Sequence, residues 1–358
     1  MRRMGKWLGY LAGALLSLSL LLACVGFIYE QCAEGRDRRL NHPPGQLVDV
    51  GGYSMHLYCT GQGSPTVVLD SGLGEYWISW YKIQPQLSLL TRVCSYDRAG
   101  LGWSNSSPQN RTSKVFAQEL HTLLQRAAIP GPYILVGHSL GGMNVRMFAD
   151  LYPANVVGMV LVDSSYPRQD QRLPPEINQV FARFQREFDM HALGIPIGIP
   201  RLMGWCGSAP PELHPMALAV ECQRQYFREV HEEWAHFDED GDQLRVTAPL
   251  GKMPLIVLSH DPDKLLSGVS AGVARAVNKA WESMQLELTR LSTNGVRVIA
   301  KGSTHYIQID RPDVVIQAVQ NVLSQCREAR QSAYEPGSPF PASVANGLRG
   351  SGETLLHQ

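Results

Sequence analysis

Residues 131–142 read GPYILVGHSLGG, and this stretch decides the fold. The apolar run at residues 133–136 is followed at once by a G-x-S-x-G motif made of Gly137, Ser139 and Gly141. A serine placed after a strand and before a helix is typical of a sharp turn that exposes its hydroxyl above a sheet, and the crowded turn requires small neighbours. A phosphate-binding loop is not indicated, because the motif lacks that loop's lysine. The motif therefore predicts Ser139 as a nucleophile.

The chain on either side alternates between strand and helix signals. Short β-branched runs without alternation are typical of buried parallel strands, and they occur at residues 66–69, 92–96, 133–136, 157–162, 255–258 and 296–299. Helical stretches lie between or after them, at residues 115–128, 143–151, 274–292 and 313–330. Residues 46–50 and 53–59 flank Gly51 and Gly52, which predicts a hairpin. This alternation predicts an α/β fold with a mostly parallel sheet and helices on both faces.

One connection is too long for a simple loop. Roughly 90 residues separate Asp163 from Pro254, and such a length predicts an inserted subdomain. We place this helical cap at about residues 166–250, with helices predicted at 176–191 and 212–237. Aromatic residues are frequent in it, which favours an apolar acyl group as ligand but equally fits packing of the cap onto the core. These aromatic residues are Phe181, Phe184, Phe188, Trp205, Tyr226, Phe227, Trp234 and Phe237.

Composition narrows the function classes. The 358 residues include 32 Lys and Arg and 32 Asp and Glu, and 44% are hydrophobic, as expected for a folded chain. The formal net charge of zero argues against nucleic acid as a partner. Seven cysteines are too few for a disulfide scaffold, and the chain has no C-x-x-C pair. Neither a metal ion nor a cofactor is implied.

The N-terminus differs from the rest of the chain. The stretch from Trp7 to Tyr29 carries no charge, and its roughly 23 residues would span ~34 Å as a helix, enough to cross a bilayer. A cleaved signal has a shorter apolar region. Lipidation at Cys24 is disfavoured, because apolar residues continue beyond it. We therefore predict a membrane anchor and juxtamembrane linker at residues 1–40.

Charges beside this span favour one orientation. Arg2, Arg3 and Lys6 lie close to its N-terminal end, whereas the arginines after it alternate with acidic residues. The N-terminus is therefore predicted in the cytoplasm and the folded domain outside it. That compartment permits disulfides, and Cys206 and Cys222 are the likeliest pair by spacing. At the other end, residues 331–358 are rich in Pro, Gly and small polar residues and are predicted to be a disordered tail.

Residues 45–330 resemble the α/β-hydrolase fold family. The stretches that match are VVLDSGLG at 67–74, YDRAGLGWS at 96–104, GPYILVGHSLGG at 131–142 and GSTHYIQIDRPDVV at 302–315. The segment PGQLVDVGG at 44–52, after an apolar N-terminus, is similar to membrane-anchored bacterial members. The resemblance implies an eight-stranded, mainly parallel sheet, a cap after the sixth strand, and catalytic residues in the order Ser, acid, His.

The resemblance also implies the base and the oxyanion hole. His305, in a short loop after the last predicted strand, matches the catalytic histidine that a serine nucleophile needs. His138 adjoins the nucleophile on a tight turn and is expected to support the oxyanion loop instead. The backbone N–H groups of Leu140 and, by family position, Leu73 are expected to stabilise the oxyanion. Ser71 stands where family members often have histidine, which departs from the pattern.

The acid is left open between two strand ends. Asp163 ends one predicted strand, and Asp261 and Asp263 follow a later one. The usual family position favours Asp261 or Asp263, whereas fold members that carry the acid after the sixth strand favour Asp163. Both strands end at the edge of the sheet where sites collect. Asp97 and Arg98 are expected to fix the loop under the site and not to take part in chemistry.

A serine nucleophile implies acyl transfer to water, since dehalogenases and epoxide hydrolases of this fold use aspartate. We therefore expect an esterase or lipase-like hydrolase that forms an acyl-enzyme on Ser139 and acts on a small-molecule ester. Two alternatives remain: an acyltransferase with the same catalytic residues, and a catalytically silent binding protein on this fold.

Overall fold

A computed structural model describes residues 2–207, 209–245, 247–264, 266 and 268–332. Its centre is an eight-stranded sheet in the order β1-β2-β4-β3-β5-β6-β7-β8. The strands are β1 Gln46–Asp49, β2 Ser54–Thr60, β3 Thr66–Asp70, β4 Val93–Tyr96, β5 Tyr133–His138, β6 Val156–Val162, β7 Leu255–His260 and β8 Gly295–Ala300. Only β2 pairs antiparallel with its neighbours β1 and β4; the other neighbouring strands run parallel. The predicted mostly parallel sheet is confirmed.

Twelve α-helices accompany these strands in the described residues. They are α1 Arg2–Leu40, α2 Gln84–Leu87, α3 Ser113–Arg126, α4 Leu140–Leu151, α5 Pro175–Gly194, α6 Ile199–Met203, α7 His214–Glu221, α8 Arg224–Ala235, α9 Phe237–Leu244, α10 Ala271–Thr289, α11 Ile307–Asp310 and α12 Pro312–Ser332. Short 3₁₀ turns lie at Trp77–Trp80, Pro153–Asn155, Gln169–Gln171 and Ile195–Ile197.

The core forms two apolar layers, one on each face of the sheet. Helices α3, α4 and α10 cover one face, where Phe116, Phe148 and Leu288 are buried. Helices α2 and α12 cover the other, where Leu87 and Val319 are buried. The central strands β3 and β5 are buried along their whole length, which explains their continuous apolar sequences. Their carboxyl ends meet at one edge of the sheet, and this edge positions the site.

The cap follows β6 and precedes β7, as predicted, and consists of helices α5 to α9. Helix α5 matches the prediction at residues 176–191, but the single helix predicted at 212–237 is wrong. The chain instead forms α7 and α8, because Gln223 adopts an extended conformation between them (φ −99°, ψ 146°). Helix α8 itself ends at Ala235, and α9 starts beyond it.

Two disulfides are present in the described residues. Cys206 and Cys222 are bonded within the cap, the pair that spacing favoured. Cys59 and Cys94 join β2 to β4, where they face each other in register. The sequence did not indicate this second bond, because residues that are distant along the chain become neighbours only through the strand order.

Helix α1 has a bare N-terminal part and a packed C-terminal part. The region Lys6–Leu40 is long and apolar enough to cross a membrane, by length and composition. Its C-terminal part packs against the cap, with Glu30, Ala33 and Asp37 buried on one face. The expected linker after Tyr29 therefore continues the helix. Of the predicted tail at residues 331–358, the first two residues end α12 and the rest lies outside the described residues.

Candidate active site

Ser139 occupies a strained turn between β5 and α4. Its φ of 50° and ψ of −118° lie in a region that a residue with a side chain rarely adopts. A Cβ atom at Gly137 would lie 2.3 Å from the carbonyl oxygen of Gly141, and one at Gly141 would lie 2.3 Å from that of Asp70. The glycines of the motif are therefore required by close backbone packing. The turn places the Ser139 side chain at the carboxyl end of β5.

His305 lies in the loop between β8 and α11, at the same edge of the sheet. Its Nδ1 atom is 2.6 Å from Oδ2 of Asp163. The imidazole is 37% exposed, whereas the Asp163 side chain is fully buried. In the described part of the chain, no protein atom is hydrogen-bonded to Nε2 of His305. This arrangement fixes one nitrogen of the ring and leaves the other available.

Asp163 comes directly after β6, with a φ of 41°. Its Oδ1 atom accepts hydrogen bonds from the Trp281 indole at 2.9 Å and from the backbone N–H of His260 at 3.0 Å. Nδ1 of His260 lies 2.9 Å from Oδ2. Burial raises the pKa of the Asp163 carboxyl, but the hydrogen bonds from His260 and His305 outweigh this effect and hold the pKa below its usual value. Asp163 therefore stays ionised inside the protein.

Asp261 and Asp263 form hydrogen bonds and ion pairs away from the His305 imidazole. The Asp261 carboxylate accepts the backbone N–H groups of Gly302 at 2.7 Å and Asp263 at 3.1 Å. Lys301 bridges the two carboxylates, at 3.2 Å from Asp261 and 3.3 Å from Asp263. These hydrogen bonds lower the pKa of Asp261 to about 2. Among the expected acids, the structure brings only Asp163 to His305.

The Ser139 hydroxyl is not hydrogen-bonded to His305 in the described structure. Its Oγ atom instead lies 3.3 Å from Oγ of Ser165. The backbone of Ser165 donates to the carbonyl oxygen of Ser139 at 3.0 Å, which holds the turn against the start of the cap. Catalytic hydrogen bonds are often loose without a substrate and tighten when one binds. The missing contact therefore does not argue against His305 as the partner of Ser139.

His138 lies behind the site, as expected, and supports its loops. Its Nδ1 atom is 3.0 Å from Oε2 of Glu75, and its Nε2 is 3.1 Å from the carbonyl oxygen of His305. Burial raises the pKa of Glu75, but the ion pair with His138 outweighs it and the pKa falls to about 2. Glu75 also accepts the N–H of Gly72 at 3.0 Å. His138 thus ties the expected oxyanion loop to the His305 loop.

Arg98 fixes the loop of residues 71–74 from below. Its guanidinium donates to the carbonyl oxygens of Ser71 at 2.7 Å and Gly72 at 2.6 Å. It also forms buried ion pairs with Asp70 at 3.0 Å and with Glu233 of α8 at 2.6 Å. Removal of one partner from such a buried ion pair would leave an uncompensated charge, so the three side chains depend on one another. The expected supporting role of Arg98 fits these contacts.

The backbone N–H groups of Leu73 and Leu140 flank the carboxyl end of β5. Within the described residues neither group donates to a protein acceptor. Leu140 is the first residue of α4, where an N–H has no partner in the helix. No hydrogen bond within the described residues therefore competes for either donor.

Several residues that build the site were missed from the sequence. His260 ends β7, one residue before Asp261, so its position at the sheet edge was a signal that could have been read. Trp281, Glu75 and Glu233 gave no such signal, since each reaches the site from a different element. Contacts of this kind depend on the three-dimensional packing and not on spacing.

Comparisons with known proteins agree with this fold. A family model described as the α/β-hydrolase fold matches residues 65–194. The probable transporter efuK of Hormonema carpetanum is 26% identical over 327 residues, 83% of this chain, but the match spans only 45% of efuK. The protein YqjL of Bacillus subtilis is 25% identical over 78% of this chain and 92% of its own length.

A solved structure of a thermophilic esterase from Thermogutta terrifontis is also similar. The match covers 79% of this chain and 99% of the esterase, with a TM-score of 0.55 and 20% identity. At this identity the likeness shows the fold. Together with the family match, the strand order and the strained turn at Ser139, it shows that the chain has the α/β-hydrolase fold.

Proposed function

We propose that this protein is a serine hydrolase that cleaves carboxylic esters through an acyl-enzyme on Ser139. The observation that supports this proposal is the contact of 2.6 Å between His305 and the buried carboxylate of Asp163, at the same edge of the sheet as Ser139. A serine needs a base held in one tautomer, and a carboxylate on Nδ1 leaves Nε2 as the acceptor.

The reaction follows from these positions. Nε2 of His305 takes the proton of the Ser139 hydroxyl as Oγ attacks the ester carbonyl carbon. The oxyanion of the tetrahedral intermediate accepts hydrogen bonds from the N–H groups of Leu73 and Leu140. His305 then gives its proton to the leaving alcohol. Water, deprotonated by His305, attacks the acyl carbon, and His305 returns this proton to Oγ of Ser139 as the acid leaves. Asp163 stabilises the imidazolium in both steps.

Asp163→Asn is expected to lower kcat by ~10⁴-fold, the loss that the same change produces in serine proteases. An asparagine can hold His305 in the wrong tautomer, because its amide donates where the carboxylate accepted. The measurement is ester hydrolysis by purified full-length protein, with circular dichroism to show that the variant is folded.

Asp261→Asn is the matched control. Asp261 caps the loop before His305 but does not touch the imidazole, and its amide counterpart can still accept the Gly302 N–H. Turnover close to that of the wild type is expected. If Asp261→Asn abolishes hydrolysis while Asp163→Asn does not, the proposed acid is wrong.

Cap residues lie close to the proposed oxyanion loop. A Cβ atom built at Gly74 would lie 3.0 Å from Val230 and 3.7 Å from the Tyr226 hydroxyl, both on α8. These side chains favour an ester with an apolar acyl group. Other cap aromatics pack on one another, for example Phe188 on Phe227 with ring centroids 4.5 Å apart.

The substrate class is tested with a chain-length series of p-nitrophenyl esters. Full-length protein in detergent is required, because removal of α1 would strip Glu30 and Asp37 from the buried Arg201. Hydrolysis that varies with acyl length and is lost in Ser139→Ala supports the proposal. Added alcohols that divert the acyl group in preference to water would instead indicate an acyltransferase.

We also propose that α1 anchors the protein in a membrane with the catalytic domain outside the cytoplasm. The two disulfides support this orientation, since cytosolic thiols are kept reduced. They lie in the sheet and in the cap, so an oxidising compartment would stabilise both parts of the domain.

A count of thiols tests the compartment. In protein isolated from its native membrane and denatured without reductant, alkylation is expected at the three free cysteines, Cys24, Cys32 and Cys326. After reduction, all seven cysteines should react. Mass spectrometry of the intact protein gives both counts, and alkylation of all seven before reduction would contradict the proposed orientation.

A further inference from the structure

One segment of the cap exposes large apolar side chains. This segment, residues 190–205, runs from the end of α5 through α6 and is called the docking segment below. Its exposed apolar residues are Met190, Leu193, Ile199, Leu202, Met203 and Trp205. Soluble proteins rarely expose so many large apolar side chains together, and such surfaces mark contacts with partners or membranes.

The docking segment contacts α1 inside its apolar stretch. A Cβ atom at Gly26 would lie 2.5 Å from the carbonyl oxygen of Ile197. One at Gly198 would lie 3.0 Å from the ring of Tyr29. The uncharged stretch of α1 ends only at Tyr29. The cap therefore reaches about one helical turn into the part of α1 that is suited to lipid.

The bare part of α1 has the length of a bilayer core. Residues 7–25 are largely exposed in the structure. At ~1.5 Å per residue these roughly 19 residues cover ~28 Å, close to the ~30 Å of hydrocarbon in a membrane. When a bilayer covers them, its boundary lies near Gly26. The docking segment then lies at the same level as the headgroups and outer acyl chains.

The charge within the docking segment is turned away from solvent. Arg201 is buried against α1, with Glu30 at 3.0 Å and Asp37 at 2.5 Å. Each of these three side chains is less than 10% exposed. The arginine therefore fastens the cap to α1 without presenting a charge to lipid. Trp205 adds an aromatic side chain of the kind that is enriched at membrane interfaces.

We propose that the docking segment inserts into the interface of the same membrane that α1 spans. The catalytic domain then contacts the bilayer at two places, through α1 and through the cap. This inference rests on the membrane anchoring proposed above and is independent of the proposed hydrolysis.

Site-specific fluorescence tests it in the full-length chain. The free cysteines Cys24, Cys32 and Cys326 are replaced by Ser, and single cysteines are introduced at Leu202, Leu89 and Leu16 to carry an NBD fluorophore. These leucines are similarly exposed, at 65%, 79% and 63%. The protein is reconstituted into phosphatidylcholine vesicles with and without doxyl-labelled phosphatidylcholine, which quenches only fluorophores within the lipid.

The three positions give distinct outcomes. NBD at Leu202→Cys is expected to lose emission to the doxyl lipid, because an interfacial segment lies at the boundary between headgroups and acyl chains. Leu89 precedes β4 at the opposite edge of the sheet, so Leu89→Cys should not be quenched. Quenching at Leu16→Cys reports the anchor. Quenching at position 16 without quenching at position 202 would overturn the proposed insertion of the docking segment but not the membrane anchor. Quenching at neither position would overturn both proposals.

A second pair of variants tests the contact with α1. Gly26→Leu cannot fit against Ile197, whereas Gly13→Leu lies where nothing approaches within 4 Å. In Gly26→Leu, quenching at position 202 should fall while quenching at position 16 persists. Gly13→Leu should leave both unchanged. Equal quenching at position 202 in the two variants would show that α1 does not position the cap and would overturn the proposed geometry.

Discussion

Ser139→Ala is expected to lower kcat for ester hydrolysis by about 10⁶-fold, the loss that removal of the nucleophile produces in subtilisin. The substitution removes the single hydroxyl that the strained turn between β5 and α4 presents, and it removes no core volume. The fold should therefore persist, which thermal unfolding followed by circular dichroism can show. Loss of activity in a folded protein would then report the chemistry alone.

Ser165→Ala is the control variant that tests whether the nucleophile is Ser139 or its neighbour. Ser165 has the hydroxyl nearest to Ser139 in the described hydrogen-bond network, at 3.3 Å, and would be the alternative nucleophile. A variant without it should still form an acyl-enzyme on Ser139. If Ser139→Ala remains active and Ser165→Ala does not, the nucleophile has been assigned to the wrong serine.

His305→Ala is expected to lower kcat by several orders of magnitude, because base and nucleophile act as one unit; in subtilisin the loss is ~10⁶-fold. Without the imidazole, the proton of Ser139 has no acceptor and the leaving alcohol has no donor. Burst and steady-state hydrolysis of a p-nitrophenyl ester would measure the loss.

His231→Ala serves as the control for histidine loss. His231 lies on the surface of α8, paired with Asp189 at 3.0 Å and about half exposed. Its removal should leave turnover close to that of the wild type. Near-normal turnover of His305→Ala would return the role of base to another histidine at the site, with His260 the first to examine, because it also contacts Asp163.

The positions of the strands could be predicted from the sequence, because buried parallel strands such as β3 and β5 leave continuous β-branched runs. The prediction that the run at 296–299 is buried is wrong, because β8 is the last strand of the sheet and exposes Val296, Val298 and Ile299. All eight strands lie where these runs and the Gly51-Gly52 hairpin place them. Ser139 could be predicted from the sequence for a similar reason. Its motif needs a strand before it and a helix after it, and both are local features. His305 was predicted from its position in the short loop after the last strand, together with the family resemblance.

The acid could not be chosen from the sequence. Asp163, Asp261 and Asp263 all follow strands that end at one edge of the sheet, and spacing does not say which carboxylate faces the imidazole. In the structure these carboxylates have different hydrogen-bond partners. Asp261 accepts from Lys301 and Gly302, whereas Asp163 contacts His305. Long-range contacts of this kind have no signature in a single sequence.

The cap and α1 show the same limit. The sequence predicted both the apolar N-terminal helix and the helical cap, but it did not predict the contact between them. Arg201 is 171 residues from Glu30 and 164 from Asp37 along the chain, and it meets them only when the cap folds against the helix. The N-terminal helix is therefore a packing partner of the catalytic domain as well as a candidate anchor.

The most direct test of the central claim is covalent labelling of the full-length protein by a fluorophosphonate, followed by peptide mass spectrometry. The proposed mechanism predicts one adduct, on Oγ of Ser139, whose formation is strongly slowed in His305→Ala and Asp163→Asn. An adduct on Ser165, or no adduct in folded wild-type protein, would contradict it.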